Sequence, residues 1–427
     1  MEALLDLPWE LPLAEWPADR VVFRELPVGP SRHLVRFAKI GAILYALKEE
    51  PIRVAEAEFA VLRRLEELRL PAVVATGLAT DPEAGTAILA TEYLAHSLQY
   101  RRLLGRFPLG PGPYRDRLLD AMTWLLVDLH RSGVYWGDCS LANTLFRRDG
   151  DRIQAFLVDA ETSEVHPALS DGQRAFDLDI LVENVAFGLA DLAALHGRPD
   201  DADDAIDAAE SMRDRYAALW GELHEVPELP AGDRHAIRGR IRRLNDLGFA
   251  IDEIHVDPLA SGSGPGAVRL HVAVSNRDFH ARELRRRSGI DALEGQARLL
   301  LNDLAEYSAW LAWSGGADPG EAVAAERWVR EVLGPALERL EPVIGVGRDP
   351  IQAYCDVLEH KWFLSEREGA DIGLEAAIAA YLEQGAPAPE AGEADGPSIA
   401  LDIDWSAAVE ATILADGRPR DPPGSTS

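Results

Sequence analysis

The stretch that decides the fold is GVYWGDCSLANTLFRRDGDRIQAFLVDAET, which runs from Gly133 to Thr162. It contains two apolar runs typical of strands. An aspartate accompanies each run, Asp138 and Asp159, and Asn143 lies between them. Because the pattern of apolar strand, acidic residue and loop occurs twice, it predicts that two carboxylates and one amide lie at adjacent strand ends.

Two carboxylates and an amide in this arrangement suit phosphoryl transfer from a nucleoside triphosphate. Mg²⁺ prefers oxygen ligands and is usually held by one or two protein groups together with substrate phosphates. A further carboxylate must meet the hydroxyl that accepts the phosphoryl group. The chain order predicts Asp138 as the catalytic base, Asn143 and Asp159 as Mg²⁺ ligands, and ATP as the phosphoryl donor.

The Asp-x4-Asn spacing is by itself a weak signal, so its context decides its meaning. Asp179 and Asn184 repeat the spacing, but they lie inside a helical run and not between strands. On that helix, Asp177 or Asp179 is expected to hold the backbone of the loop that carries Asp138.

The chain upstream offers residues that could bind a nucleotide. Lys48 ends a strand-like run, where its ammonium group is expected to pair with the α- and β-phosphates. Glu58, on the helix that follows, is expected to hold this lysine in an ion pair, and Glu50 and Glu56 compete for that role. The alternative is that the run from Lys48 to Glu50 is a solvated group of charges.

The turn GPSRH between the first two strands is the candidate phosphate-covering loop. Backbone N–H groups in such a turn can form a concave anion site. We expect Gly29, Ser31, Arg32 and His33 to contact phosphates, and the alternative is that they only shape a hairpin.

The strand LATEYL is predicted to connect two lobes, with backbone groups of Glu92, Tyr93 and Leu94 facing the adenine. Before it, the pattern alternates as in strands, with one helix. After it, amphipathic helices predominate, and the first carries an apolar stripe at Leu118, Met122, Leu125 and Leu129. Beyond residue 230, two alternating runs around the loop SGSGPG predict a hairpin, and helices follow to about Leu382.

Composition limits the classes of function. The 427-residue chain carries a formal net charge of −29, which disfavours binding to nucleic acid. Its two cysteines, Cys139 and Cys355, provide neither a disulfide framework nor a metal-ligand spacing. The N-terminus is unlike a signal peptide, and no apolar run reaches the ~18 residues of a membrane span. We therefore expect a cytoplasmic protein with no membrane span and no nucleic-acid partner.

The order of these candidates, from Lys48 through Asp138 to Asp159, is the order found in kinases. Residues 21 to about 225 resemble the protein-kinase-like fold, and are closer to lipopolysaccharide and small-molecule kinases than to eukaryotic protein kinases. The whole chain also resembles an uncharacterised bacterial family, the domain of unknown function 4032 family. The stretches that carry this resemblance include LLDLPWELPLAEWP, SRHLVRF, YALKEE, SLQYRRLL, GVYWGDCSLANTLFRRD, LVDAETSEVHP, SDGQRAFDLDI and EGQARLLLNDL.

The resemblance implies an α+β fold class, in which a two-lobed protein-kinase-like domain is followed by an α+β, mostly helical C-terminal domain. The predicted organisation, in chain order, is an N-terminal lead segment (1–20), a kinase-like N-lobe (21–94), a kinase-like C-lobe (95–230), a family-specific C-terminal domain (231–384) and a disordered acidic tail (385–427).

The predicted function is transfer of the γ-phosphate of ATP to a hydroxyl of a sugar, lipid-linked sugar, small metabolite or protein. Three features depart from the usual kinase pattern. Trp136 and Gly137 replace the usual His-x before the catalytic aspartate, Ala-Glu follows Asp159, and the glycine loop is reduced to Gly29. The missing histidine and the reduced glycine loop favour the alternative of a pseudokinase, a nucleotide-binding or scaffold module without turnover. The retained acidic groups and lysine favour the enzyme.

The stretch RDFHARELRRRSG is rich in arginine although the chain is acidic. Arg285 and Arg286 are candidates for docking an anionic acceptor or partner, because guanidinium groups bind phosphate and carboxylate through paired donors. The alternative is that they pair with the chain's own carboxylates. The C-terminal domain and the tail are candidate surfaces for a protein partner.

Overall fold

The computed structural model describes residues 2–26, 32–104, 112–195, 197, 202–230, 233–258, 267–315, 320–345 and 348–387. Within these residues the chain forms two compact units. The first extends to Arg282 and includes Leu293–Leu299, and the second contains Glu283–Ala292 and Leu300–Pro387. Gly29 and Ser31 of the predicted phosphate loop, and the predicted tail from residue 388 onward, lie outside the described residues.

A five-stranded antiparallel sheet forms the N-terminal lobe of the first unit. In sheet order its strands are β1 (Val22–Arg24), β2 (Leu34–Ile40), β3 (Ile43–Pro51), β5 (Thr86–Glu92) and β4 (Ala75–Asp81). Successive side chains of a strand point to opposite faces, so Leu47 and Lys48 of β3 face different surroundings. Leu47 is fully buried in an apolar cluster, and Lys48 faces the candidate site.

Helix α2 (Ile52–Glu67) follows β3 directly and packs on the sheet. Its buried positions are Ala55, Glu58, Leu62 and Leu65, which recur at the three- and four-residue spacing of one helix face. Glu58 therefore places a carboxylate on an otherwise apolar face. A buried charge needs a partner, and that partner lies on β3.

The N-terminal lead segment packs against the sheet and belongs to this lobe. Leu13 and Trp16 are buried in one apolar cluster with Leu47. The backbone of Leu13 is held at both polar groups: its N–H donates to Glu49 Oε2 at 3.2 Å, and its carbonyl accepts from Arg36 Nη1 at 3.0 Å. The segment contains helix α1 (Glu2–Leu5) and a 3₁₀ turn (Leu13–Glu15).

The second lobe of this unit is mostly helical, and two short strand pairs carry the loops of the site. The predicted stripe of the long helix after residue 112 is fully buried, at Leu118, Met122, Leu125 and Leu129. The helices are α3 (Tyr100–Leu104), α4 (Pro113–Arg131), α5 (Asp171–Leu195) and α6 (Ala202–His224). The antiparallel pairs are β6 (Val134–Tyr135) with β9 (Glu164–Val165), and β7 (Thr144–Asp149) with β8 (Arg152–Leu157).

The predicted hairpin beyond residue 230 is present and contacts both lobes of the first unit. Arg131 of α4 donates to the Val274 carbonyl at 2.9 Å, and Asn276 donates to the Leu68 carbonyl at 2.9 Å. These contacts explain why the first compact unit extends to Arg282, beyond the predicted boundary at residue 231. That boundary, as the start of the family-specific segment, stays a prediction. The elements are β10 (Glu228–Pro230), α7 (Arg234–Asp246), β11 (Phe249–Pro258) and β12 (Ala267–Arg277).

The second unit is helical, as the sequence predicts for this part of the chain. Trp328 and Tyr354 are fully buried, and both donate to Asp303 Oδ2 at 2.7 Å. No helix in the described ranges is long and apolar enough to cross a membrane. The remaining elements are α8 (Phe279–Ser288), α9 (Glu294–Gly315), α10 (Glu321–Trp328), a π-helical turn (Val329–Leu333), α11 (Gly334–Ile344), α12 (Pro350–Glu368) and α13 (Leu374–Glu383).

Candidate active site

Lys48 lies at the centre of a group of carboxylates. Its Nζ atom is 2.8 Å from Glu58 Oε2, 2.9 Å from Glu50 Oε2 and 3.3 Å from Asp159 Oδ1. The other oxygen of Glu58 accepts from the Ala160 backbone N–H at 3.2 Å. The structure therefore brings together Lys48, Glu58 and Asp159, whose roles were predicted from their order in the chain. It also adds Glu50, which the sequence offered only as a competitor of Glu58.

Burial and mutual repulsion shift the proton affinities of this group. Burial raises the pKa of Glu58, the Asp159 and Glu50 carboxylates raise it further, and Lys48 opposes them. Burial alone would lower the pKa of Lys48, but the Glu58 and Asp159 carboxylates hold it above its usual value. With Glu161 at 4.0 Å, four carboxylates surround the one ammonium group. The site thus has an excess of negative charge that suits a bound cation.

The loop between β6 and β7 positions Asp138 and Asn143. Asn143 Nδ2 donates to Asp138 Oδ2 at 2.9 Å and to the Asp138 carbonyl at 3.2 Å. Asn184 of α5 donates to Asp138 Oδ1 at 3.4 Å and to the Cys139 carbonyl at 3.0 Å. Both carboxylate oxygens of Asp138 thus accept a hydrogen bond, which fixes its orientation. Because Nδ2 of Asn143 is used in these bonds, its amide oxygen is the atom that can bind a metal ion.

Asn184 has a place in this loop that the sequence did not predict. The Asp-x4-Asn spacing pairs it with Asp179, but the Asp179 carboxylate binds Arg213. Asn184 instead shares a face of α5 with Asp177, at positions i and i+7 of the helix. Helical spacing from Asp177 was therefore the signal that could have identified it.

Asp177 holds the backbone that precedes Asp138. Its fully buried side chain accepts from the Trp136 N–H at 2.7 Å and from the Gly137 N–H at 2.8 Å. His130 Nε2 lies 3.0 Å from Asp177 Oδ2. Burial opposes ionisation, but hydrogen bonds from these three residues hold the pKa of Asp177 below its usual range. Of the two aspartates that the sequence offered for this role, the structure places Asp177 in it.

Replacing Asp177 with asparagine is expected to destabilise the protein by about 3 kcal/mol, because a buried, hydrogen-bonded charge is removed. The pKa of Asp177 is depressed in the folded state, so its stabilisation is full above the unfolded value of about 3.9 and is lost as pH falls through the folded value. Urea unfolding at pH 7 and at lower pH checks this prediction. The difference in free energy of unfolding between the wild type and the variant should become smaller in acid.

Asp179→Asn is the matched control for this prediction. Asp179 lies on the same helix and is exposed, and it pairs with Arg213 at the surface, so the loss of its charge is expected to lower the free energy of unfolding by less than about 1 kcal/mol. Equal decreases in the free energy of unfolding of the two variants would show that Asp177 does not stabilise the loop.

Gly137 permits a close approach between the two aspartate-bearing loops. Its φ of +83° lies in the region that favours glycine, and an added Cβ would lie 2.6 Å from the Thr162 carbonyl oxygen. The Trp136 carbonyl accepts from Thr162 Oγ1 at 3.0 Å and from Ser163 Oγ at 3.1 Å. The loop with Asp138 is therefore fixed to the segment after Asp159.

Gly137→Ala is expected to lower the free energy of unfolding by about 1–3 kcal/mol more than Gly41→Ala does, because it adds a clash to the cost of the positive φ. Gly41 has φ of +61° and nothing within 4 Å of an added Cβ, so it measures the backbone cost alone. Chemical denaturation of both variants checks this difference. Equal stability would mean that the loops can move apart at no cost.

Two backbone N–H groups of the predicted connector between the lobes already form hydrogen bonds within the N-terminal lobe. The Glu92 N–H donates to the Val74 carbonyl and the Tyr93 N–H donates to the Leu44 carbonyl, both at 2.8 Å. An adenine contact at Glu92, Tyr93 and Leu94 would therefore use carbonyl oxygens or the Leu94 N–H. This role stays a prediction.

Of the predicted phosphate-loop residues, Arg32 and His33 lie among those described. Arg32 is exposed. His33 Nε2 lies 3.5 Å from Glu161 Oε2 and 4.0 Å from Glu50 Oε2. The histidine thus lies against carboxylates, and the predicted phosphate contacts of both residues stay predictions.

The arginines proposed for anion docking are exposed and paired with carboxylates inside the second unit. Arg286 makes a two-pronged contact with Glu283, at 2.9 and 2.8 Å, and reaches Glu321 at 3.5 Å. Arg285 lies 3.3 Å from Asp291. These pairs favour the alternative in which the arginines neutralise the chain's own acids, and docking stays a prediction.

Two family models match different parts of the chain. Residues 39–197 match the model of the lipopolysaccharide kinase (Kdo/WaaP) family. Residues 218–385 match the model described as a domain of unknown function, DUF4032. The predicted fold class and both family resemblances are confirmed, and the kinase-like part contains Lys48, Asp138 and Asp159.

No curated protein sequence matches the chain. Among solved structures, the chain is similar to WaaP in complex with acyl carrier protein. The two are 20% identical with a TM-score of 0.31, and the alignment covers 46% of this chain and 88% of that one.

Proposed function

We propose that the protein is an ATP- and Mg²⁺-dependent phosphotransferase that moves the γ-phosphate of ATP to a hydroxyl group. The observations that carry the proposal are that Lys48 lies 3.3 Å from Asp159 and that Asn143 donates to Asp138 at 2.9 Å, on two adjoining segments. The Val158 N–H donates to the Asn143 carbonyl at 3.1 Å, which joins the two aspartate-bearing segments at the strand pair β7 and β8. The match to a kinase family supports the same reaction class.

The donor atoms at this site fit Mg²⁺. Asn143 offers its amide oxygen and Asp159 its carboxylate, and two such protein ligands with substrate phosphates are the usual arrangement for this ion. When bound, the ion would screen the charge of the phosphates during transfer. We assign Asn143 and Asp159 to hold it.

Lys48 and Asp138 perform different tasks in this proposal. Lys48 is held in place by Glu58 at 2.8 Å and remains protonated, so it supplies a fixed positive charge for the nucleotide phosphates. Asp138 is held by Asn143 and Asn184 as a hydrogen-bond acceptor, which suits a group that takes a proton from the attacking hydroxyl.

We propose a sugar, lipid-linked sugar, small metabolite or protein hydroxyl as the acceptor. The family match supports testing sugar hydroxyls first. Use of ATP also supports action in the cytoplasm, and the DUF4032 region is the candidate surface for a protein partner.

A coupled assay of ADP formation tests the function, with Mg-ATP and separate pools of sugars, lipid-linked sugars and metabolites. The proposal expects ADP formation that depends on both Mg²⁺ and an acceptor pool. Calorimetry of Mg-ATP binding accompanies the assay. Binding without ADP formation in any pool would instead support the pseudokinase, and no binding would overturn the nucleotide site itself.

A further inference from the structure

We propose that His33, Glu50 and Glu161 form a second divalent-cation site, which takes a transition-metal ion such as Mn²⁺ or Zn²⁺. One ligand atom from each residue lies within 4.8 Å of the other two. The site does not use Asn143 or Asp159. Metal binding to it can therefore be measured without nucleotide, and its failure would be distinct from failure of the proposed phosphotransferase.

The separations between the ligand atoms are close to those that a small divalent ion requires. Ligands about 2.0–2.2 Å from a tetrahedral ion lie about 3.3–3.5 Å from one another. His33 Nε2 is 3.5 Å from Glu161 Oε2 and 4.0 Å from Glu50 Oε2. Side-chain rotations would bring all three ligand atoms, which lie within 4.8 Å of one another, to one ion.

Glu50 supplies the independent observation that a ligand belongs here. Its side chain is fully buried, and its Oε2 atom lies 2.9 Å from Lys48 Nζ. Both of its carboxylate oxygens are buried and accept no hydrogen bond from the described residues, and Oε2 is the atom that faces His33 Nε2, at 4.0 Å. A buried carboxylate oxygen without a donor is costly, and a metal ion would satisfy it.

The chemistry of the three ligands selects the class of ion. Carboxylate oxygens suit Mg²⁺, Mn²⁺ and Zn²⁺ alike, but an imidazole nitrogen favours the transition metals over Mg²⁺. Three protein ligands are the usual number at a zinc site that keeps an open position. The excess of carboxylates around Lys48 adds a favourable field for a doubly charged ion.

A bound ion would join two segments that are distant in the sequence. His33 precedes β2, Glu50 lies in β3, and Glu161 follows Asp159. The ion would thereby tie the start of the sheet to the segment that carries Asp159. We infer that it stabilises the relative position of these segments.

The test uses the full chain, treated with EDTA and free of nucleotide. Calorimetric titrations with MnCl₂, ZnCl₂ and MgCl₂ compare the wild type with His33→Gln and Glu161→Gln. His255→Gln is one control, because His255 also contacts a glutamate, Glu253 at 2.9 Å, but in an exposed pair outside this group. Asn143→Ala is the second control, because it removes a proposed Mg²⁺ ligand only.

We expect the wild type to bind one Mn²⁺ or Zn²⁺ per chain, and the His33→Gln and Glu161→Gln variants to bind it at least about 10-fold more weakly. Both controls should bind as the wild type does. Electron spin echo spectra of the Mn²⁺ complex should show coupling to a histidine nitrogen, which is lost in His33→Gln. The nitrogen coupling in the spectrum of the wild type tests the site even if a variant folds poorly.

Wild-type protein that binds neither Mn²⁺ nor Zn²⁺ would overturn the site. So would a Mn²⁺ complex without nitrogen coupling, or binding that Asn143→Ala removes and His33→Gln retains. In those cases His33 would lie beside Glu50 and Glu161 without binding a metal ion.

Discussion

Asp138→Asn is expected to lower the rate of phosphoryl transfer by about 10²- to 10⁴-fold, the usual contribution of a positioned general base. Asparagine has nearly the same shape and can still accept a hydrogen bond through its amide oxygen, but it cannot take a proton at neutral pH. Binding of Mg-ATP should change little, because Asp138 is assigned to the acceptor hydroxyl and not to the nucleotide.

The rate under saturating Mg-ATP, measured with calorimetric affinities for the same preparations, checks this prediction. Asp179→Asn is the control, because it makes the same chemical change at an exposed aspartate that pairs with Arg213. Turnover of Asp138→Asn equal to that of the wild type would remove Asp138 from the role of base.

Asp159→Ala and Lys48→Met are expected to remove most of the thermal stabilisation that Mg-ATP gives the wild type. A ligand at 100 times its Kd stabilises the native state by about 2.7 kcal/mol. Asp159→Ala should abolish the Mg²⁺ dependence of the shift, since Asp159 is a proposed ligand of the ion. Lys48→Met should weaken the shift at every Mg²⁺ concentration, since the charge for the phosphates is gone.

Each variant must be compared with its own nucleotide-free melting temperature. Removing Lys48 leaves the buried carboxylates of Glu50 and Glu58 without their cation, which itself costs stability. Lys361→Met is the matched control, because Lys361 also contacts two carboxylates, Glu306 and Asp371, but lies in the second unit. If Lys48→Met keeps the wild-type shift, Lys48 does not bind the nucleotide.

The features that could be predicted from the sequence are those encoded by order and local pattern. Lys48, Glu58 and Asp159 occur in the kinase order, and strand and helix periodicity placed them on β3, on α2 and after β8. The structure brings their side chains together. The apolar stripe of α4 and the hairpin of β11 and β12 could also be predicted, because helical spacing and strand alternation indicate which residues are buried.

The features that could not be predicted depend on contacts between distant segments. Asn184 of α5 contacts Asp138 of the loop. In the sequence, the Asp-x4-Asn spacing pairs Asn184 with Asp179 instead. His130 reaches Asp177 from α4, so the loop has a bracing histidine although the usual His-x-Asp is absent. No local pattern reports either contact.

The extent of the first compact unit could not be predicted either, because it also depends on contacts between distant segments. Hydrogen bonds from Arg131 to Val274 and from Asn276 to Leu68 attach the hairpin to the lobes, and they link residues far apart in the chain. Charge runs were also ambiguous, since Arg285 and Arg286 could equally bind a partner or their own acids. The structure gives both of them acidic partners within the second unit.

The most direct test of the phosphotransferase proposal is a phosphorus NMR experiment with Mg-ATP, the wild-type protein and a pool of hydroxyl acceptors. The account predicts conversion of ATP to ADP together with a new phosphomonoester resonance, and loss of that resonance in Asp138→Asn. Unchanged ATP, under conditions where calorimetry shows that the nucleotide is bound, would contradict the account and identify a nucleotide-binding module without turnover.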